Sequence, residues 1–347
     1  MTETTPTKRT LTLNWKKIWN WGRLILGVGG LGIVVYSVSE RDALVDGLLK
    51  VNLWWVLVAL LLNFGATLIK TGRWWLVLQE SDIPNLKPSR LLGTYLVGMF
   101  FSQFMPGSSM GGDAMRMVEM SADSGKAASS VASVMIERVV GMLTILGTAS
   151  LILLVTSYKE LSLTFELAMH FLSISGIIAL FVLRMGWFVE PFAKLLTRFK
   201  MGKIAKQIVA LSEALQSQLG RGRVLFYMVL LSFLANAMTM TGAYLVLVGF
   251  GETVPYFAFI PLMCMAVAVE LIPLSPGALG LREATYVAFL TGFLGVAESA
   301  SLGTALVVRA ISMVHGVIGG LILVSRGISA NQRGKVNSNT TAPSTTS

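Results

Sequence analysis

Cysteine and histidine are nearly absent from this chain of 347 residues: there is one cysteine, Cys264, and there are two histidines, His170 and His315. A lone cysteine inside an apolar segment excludes an internal disulfide and a thiolate metal site, and two isolated histidines in different apolar runs leave no imidazole cluster to hold zinc. They read as packing or interface residues. Charge is scarce as well. Asp, Glu, Lys and Arg make up 13% of the residues, about half of the ~25% usual in soluble domains, while 54% are hydrophobic and the mean hydropathy is +0.70. A soluble globular protein is excluded. Acidic residues are the scarcer sign, 18 against 28 basic, for a net charge of +10. Most of the basic residues lie between the apolar runs, where the positive-inside rule places them, so nucleic acid is not an expected partner. The Gly107-Ser108-Ser109-Met110-Gly111-Gly112 passage lacks the Gly-Lys-Ser/Thr ending of a nucleotide loop, and Ser108 and Ser109 have no evident base to activate them. No catalytic constellation, metal or cofactor is expected.

What the chain has instead is a succession of apolar windows of the ~20 residues needed to cross a ~30 Å hydrocarbon core. A polar, basic segment, 1–20, precedes a first span from about Trp21 to Ser37, and Ser39 to Gly47 reads as an acidic outer loop. A second span covers about Asn52 to Leu76, with Trp54, Trp55, Trp74 and Trp75 as interfacial anchors and Lys70 and Arg73 marking its inner end. The run Leu91 to Met105 is too short to cross before Pro106 breaks it, so 91–126 reads as a re-entrant hairpin whose second helix Asp113 caps. Spans follow at about Ala127–Val155 and Ser162–Leu183. Residues 184–223 read as a cytoplasmic linker with an amphipathic, surface-lying helix. Then come a span at Leu225–Val248, a second hairpin over 257–293 broken at Pro273, Pro276, Gly277 and Gly280, a last span at Ser299–Val324, and a Ser/Thr/Asn-rich tail, 326–347, expected to be disordered.

The predicted fold is therefore an all-α polytopic membrane protein of two inverted-topology repeats, 21–157 and 158–325, each with three spans and one re-entrant helical hairpin. Both termini are expected in the cytoplasm, and the plasma membrane is the expected location. Paired Gly/Pro-interrupted segments in two halves point to the binding site of a transporter-like fold. Here they are Phe101 to Arg116 and Glu270 to Glu283, with Pro106, Gly111 and Gly112 breaking the first.

Phe104 to Arg116 (F-M-P-G-S-S-M-G-G-D-A-M-R), Glu137-Arg138 and Pro273 to Glu283 (P-L-S-P-G-A-L-G-L-R-E) resemble the paired signatures of the lysylphosphatidylglycerol synthase/flippase transmembrane family. The likeness spans nearly the whole chain. Two positions depart from the pattern: Ser102 stands where asparagine is more usual, and Ala278 where a glycine commonly follows Pro-Gly. The resemblance implies a flippase-like membrane part without the soluble aminoacyl-transferase domain of full-length synthases, so aminoacylation of phosphatidylglycerol is not expected.

The charges inside the spans lead independently to the same place. A charge at the centre of a span costs at least ~2.5–3.5 kcal/mol, so Glu137, Arg138, Glu270 and Arg309 need partners or a wet cavity. Arg116, Arg138, Arg282 and Arg309 are expected to converge near the axis between the halves and to bind a lipid phosphate, with Asp113, Glu137, Glu270 and Glu283 beside them. Each has a plainer reading: Asp113 and Arg116 as a pair at a helix start, Glu283 as a helix N-terminal charge, Glu137 and Arg138 as salt-bridge partners of the opposite half. The function these features imply is translocation of an anionic phospholipid or polyprenyl phosphate between leaflets. Two alternatives stand beside it: an enzyme or enzyme subunit holding a lipid for group transfer, and an ion-coupled solute transporter. Candidate partners beyond the lipid are a second copy of the chain or a separate lipid-modifying enzyme.

Overall fold

Blocks of apolar residues this long leave the backbone no water to bond, so its N–H and C=O groups must satisfy one another within each segment, and helices result. The computed structural model describes residues 41–81, 83, 86–104, 109–156, 163–186, 189–198, 201–219, 222–270 and 278–340. The expected span at Trp21–Ser37 and the breaks at Pro106, Pro273, Pro276 and Gly277 lie outside the described residues.

Every regular element among the described residues is helical. In chain order they are α1 (Arg41–Lys50), α2 (Leu53–Gln79), α3 (Pro88–Phe104), α4 (Ser109–Ser124), α5 (Ala127–Val155), α6 (Leu163–Met185), α7 (Val189–Arg198), α8 (Gly202–Leu219), α9 (Gly222–Gly249), α10 (Tyr256–Glu270) and α11 (Leu281–Tyr286). A π-helical turn (Val287–Thr291) and a last turn (Gly292–Leu294) continue α11, and α12 (Glu298–Thr340) follows. Among the described residues five helices are long and apolar enough to cross a membrane: α2, α5, Leu163–Val182 of α6, α9, and Glu298–Arg326 of α12. At 17 and 15 residues, α3 and α10 reach only about 25 and 22 Å.

The helix contacts come in corresponding pairs. The most extensive joins α2 to α9. Each hairpin leans on the last span of the other half, α3 on α12 and α10 on α5, while α4 packs on α5 as α11 packs on α12. Between α2 and α9 the approach is made by small residues, with Gly242 against Asn63 and the Ala59 backbone and Gly65 against Met238. A larger apolar core, including Phe259, Met263 and Leu290, joins α5, α9, α10 and the π-helical turn.

The α3–α12 contact is the tightest. A Cβ placed on Gly319 would stand 1.9 Å from the carbonyl oxygen of Leu96, and Phe100 lies over Gly320. One end of this seam is fastened by Arg326, which donates to Glu119 (2.8 Å), Thr94 (3.3 Å) and the Arg90 carbonyl (3.2 Å), with its guanidinium over Gly93.

Several expectations give way here. Residues Arg41–Lys50 form a helix, not a loop, because Leu44 packs against Leu302 of α12. Trp74 is no interfacial anchor: it is fully buried and donates to Ser133 (3.1 Å), whereas Trp54 is exposed. In the linker, α8 packs on α5, with Leu215 and Leu219 in one cluster with Ile136 and Val140, so its apolar face meets protein. Gly111 and Gly112 belong to the first turns of α4, which leaves Asp113 inside the helix instead of capping it. A Cβ at Gly112 would meet Ser102 Oγ at 2.0 Å and the Gly98 carbonyl at 2.3 Å, so the glycine serves close packing of α3 on α4. Beyond Arg326 the helix runs on to Thr340, as propagation of an already nucleated helix is cheap.

Gly319→Val is expected to cost about 1–3 kcal/mol by overpacking, because the obstructing atoms belong to backbone. Gly72→Ala in α2, where a Cβ meets nothing within 4 Å, is expected to be neutral or stabilising. Melting temperatures of the two purified variants in detergent check both.

Candidate functional site

Glu137 lies one turn and a half into the apolar part of α5, buried to 3% exposure, and it accepts from two arginines. Arg73 of α2 reaches Oε1, and Arg116 of α4 donates to Oε2 at 2.9 Å. Arg73 also donates to Ser232 of α9, which ties the pair to the second half, and Gly141, one turn beyond Glu137, leaves its guanidinium room. Arg116 is flanked by two rings set edge to face: its guanidinium carbon is 4.5 Å from the ring centroids of Trp74 and of Tyr95. Its aliphatic stem lies over Gly98. Asp113, three residues earlier on α4, sits 3.5 Å from Arg116 and 3.1 Å from Arg138.

A second network stands in the other half. Arg282, at the start of α11, pairs with Glu270 at the end of α10 (2.7 Å). Glu283 is fully buried, accepts from the Gly280 N–H (2.9 Å), and is bound by Arg309 of α12 through Nε and Nη2 (3.0 Å). Arg309 also donates to the Ala278 carbonyl (3.0 Å). The chain reaches that carbonyl through two left-handed residues, Ala278 (φ 53°) and Gly280 (φ 78°). Arg282 keeps two buried donors, Nε and Nη1, that have no partner among the described residues.

The eight charged residues singled out from sequence thus fall into two networks of four, one per half. For Glu137 the expectation of partners in the opposite half is corrected. Arg73 and Arg116 both belong to its own half, because α2 and α4 flank α5 on the side that Glu137 faces. The plainer readings of Asp113–Arg116 as a pair and of Glu283 as a helix-start charge both match the geometry. Sequence reasoning took Arg73 for a flank of the span, yet it is buried. The overlooked signal is that helix α2 stays apolar for five residues after it, Trp74 to Leu78. Both histidines are interface residues: His170 bonds Ser150 across α5 and α6 (2.6 Å), and His315 stacks on Phe64 between α12 and α2.

The first network lines a cavity of about 170 Å³. Lys70, Arg73, Tyr95, Arg116, Glu137 and Arg138 supply its polar wall, and Asn236 of α9 and Val267 of α10 close it from the second half. With Asp113 counted, four basic side chains face two carboxylates around this cavity.

The profile of the lysylphosphatidylglycerol synthase transmembrane region matches residues 21–320. The chain belongs to that family. Within it, the chain is similar to a UPF0104 membrane protein of Methanothermobacter thermautotrophicus, 24% identical over 308 residues, covering 83% of this chain and 90% of the relative. A UPF0104 membrane protein of Pyrococcus horikoshii is 20% identical over 326 residues, covering 87% and 95%. No solved structure matches the chain. Family membership and five spanning-length helices make this a multi-pass membrane protein.

Glu137→Gln removes the charge that two buried arginines share, and a loss of about 3–5 kcal/mol is expected, read as a sharply lowered melting temperature in detergent. Ala278→Gly is expected to do the reverse, raising the melting temperature by relieving roughly 1 kcal/mol of left-handed strain, less what glycine loses in chain entropy.

Proposed function

We propose that this protein is a flippase-like translocase that moves an anionic phospholipid or polyprenyl phosphate between the leaflets of the plasma membrane. The observation that carries the reading is the cluster of four basic side chains around the α2–α4–α5 cavity, beside which Asp113 and Glu137 are the two carboxylates. Such a cluster in a low-dielectric surround favours an anionic guest, and guanidinium groups bind phosphate oxygens in pairs. Arg282 in the second hairpin, two of whose donors have no partner among the described residues, offers the equivalent landing place in the other half.

The paired helix contacts support two repeats of inverted topology, with three spans and one re-entrant hairpin each. In this scheme the tails stay in the bilayer while the head group passes from one arginine network to the other, as one repeat rocks against its partner. Both termini lie in the cytoplasm, and a second copy or a lipid-modifying enzyme supplies or consumes the lipid. The protein itself performs no group transfer. A proton-coupled solute carrier is less well supported. The two carboxylates such a carrier would titrate are engaged, Glu137 by two arginines and Glu270 by Arg282.

Liposomes containing the purified protein and fluorescent phosphatidylglycerol test the proposal. The parent is expected to expose inner-leaflet lipid to an external quencher faster than empty liposomes, and Arg138→Ala to slow this about tenfold or more, at an unchanged melting temperature. Rates equal to those of empty liposomes, for both phosphatidylglycerol and a polyprenyl phosphate, would overturn it. Conversion of either lipid with no change of leaflet would favour the enzyme reading.

A further inference from the structure

The arginine cavity has an apolar neighbour. Between α5, α6 and α10 lies a groove of about 290 Å³ whose walls include Met142 and Ile145 of α5, Leu172 of α6, and Met265, Ala268 and Val269 of α10. Met142 and Ile145 also line the arginine cavity, and Val267 of α10 stands on its far side. The two hollows therefore share a wall along α5 and α10, one strongly cationic and the other lined by hydrocarbon and thioether groups. Among them the methionines can follow the shape of a flexible guest.

We infer that this groove holds one hydrocarbon chain of the lipid whose acidic head group occupies the arginine cavity. The inference rests on the head-group reading above and adds where the chain runs and which helices admit it. Three observations carry it. The groove lies directly beside a cavity lined by four basic side chains, sharing Met142 and Ile145 with it, so an occupant with an acidic head and an apolar chain suits both at once. The corresponding seam between α3 and α12 is closely packed at its described glycines: Gly319 sits on the Leu96 backbone, and Phe100 and Phe104 lie against Gly320 and Gly316. A third hollow of the same volume, between α2 and α3 and lined by Leu68, Trp75 and Leu92 among others, shares no lining residue with the arginine cavity. It serves as an internal control for ordinary lipid contact.

Narrowing the groove without touching the arginines tests this. Binding of phosphatidylglycerol to the detergent-purified full chain is measured by native mass spectrometry, and binding of glycerol 3-phosphate by thermal shift. For Ala268→Trp and Leu172→Trp the expected result is about tenfold weaker phosphatidylglycerol binding with the glycerol 3-phosphate response unchanged, while Leu92→Trp binds like the parent. The groove is overturned if the folded Ala268→Trp and Leu172→Trp proteins bind phosphatidylglycerol as the parent does, or if Leu92→Trp weakens it equally, which means annular lipid only. Should Ala268→Trp fail to fold, Leu172→Trp, which approaches from α6, decides alone. Arg138→Ala separates the two ideas. Loss of phosphatidylglycerol there, with intact binding in the groove variants, sinks the chain site and leaves the head-group reading standing, whereas intact binding in all of them sinks both.

Discussion

One carboxylate neutralised by two arginines, in a place that water hardly reaches, sets the terms for the rest of this structure. An isolated charge at that depth is expensive, and a one-to-one pair only returns part of the desolvation cost. Glu137 accepts from Arg73 and Arg116 together, so the three helices α2, α4 and α5 are fixed to one another by a single side chain. The geometry leaves the carboxylate saturated and the guanidinium groups not. Arg116 is supported instead by Trp74 and Tyr95, whose ring faces attract a cation without cancelling its charge. The net result is a pocket in which basic side chains outnumber carboxylates by four to two.

The two halves share one pairing and differ in another. Asp113 on α4 meets Arg138 on α5 as Glu283 on α11 meets Arg309 on α12, with Glu283 also closing the first turn of α11 through the Gly280 N–H. The first half adds a carboxylate on the span, Glu137, which accepts from Arg73 and Arg116, whereas in the second Glu270 of α10 takes Arg282.

The long helices were legible in the sequence because crossing hydrocarbon demands a run of fixed length with few charges. Ala127–Val155 is read and observed with the same bounds, and the shorter runs emerge as helices of 17 and 15 residues, α3 and α10. Intramembrane charges were legible by their cost. Their partners were not, because adjacency in space is decided by which helices pack: Arg73 looked like an interfacial residue until α2 met α5. An amphipathic pattern shows that a face is covered and not by what, so α8 read as membrane-bound although α5 covers it. Glycine was ambiguous for a similar reason. Gly112 and Gly98 are there for contact between helices, whereas Ala278, where a glycine was expected, takes a positive φ as a non-glycine residue.

The seam between α3 and α12 is clasped at one end by the Arg326 fork and has no slack at Gly319. The equivalent seam between α10 and α5 has a void where its twin has aromatic rings. Room is thus distributed unevenly through the molecule, and the emptier of the two seams is the one beside the cationic pocket.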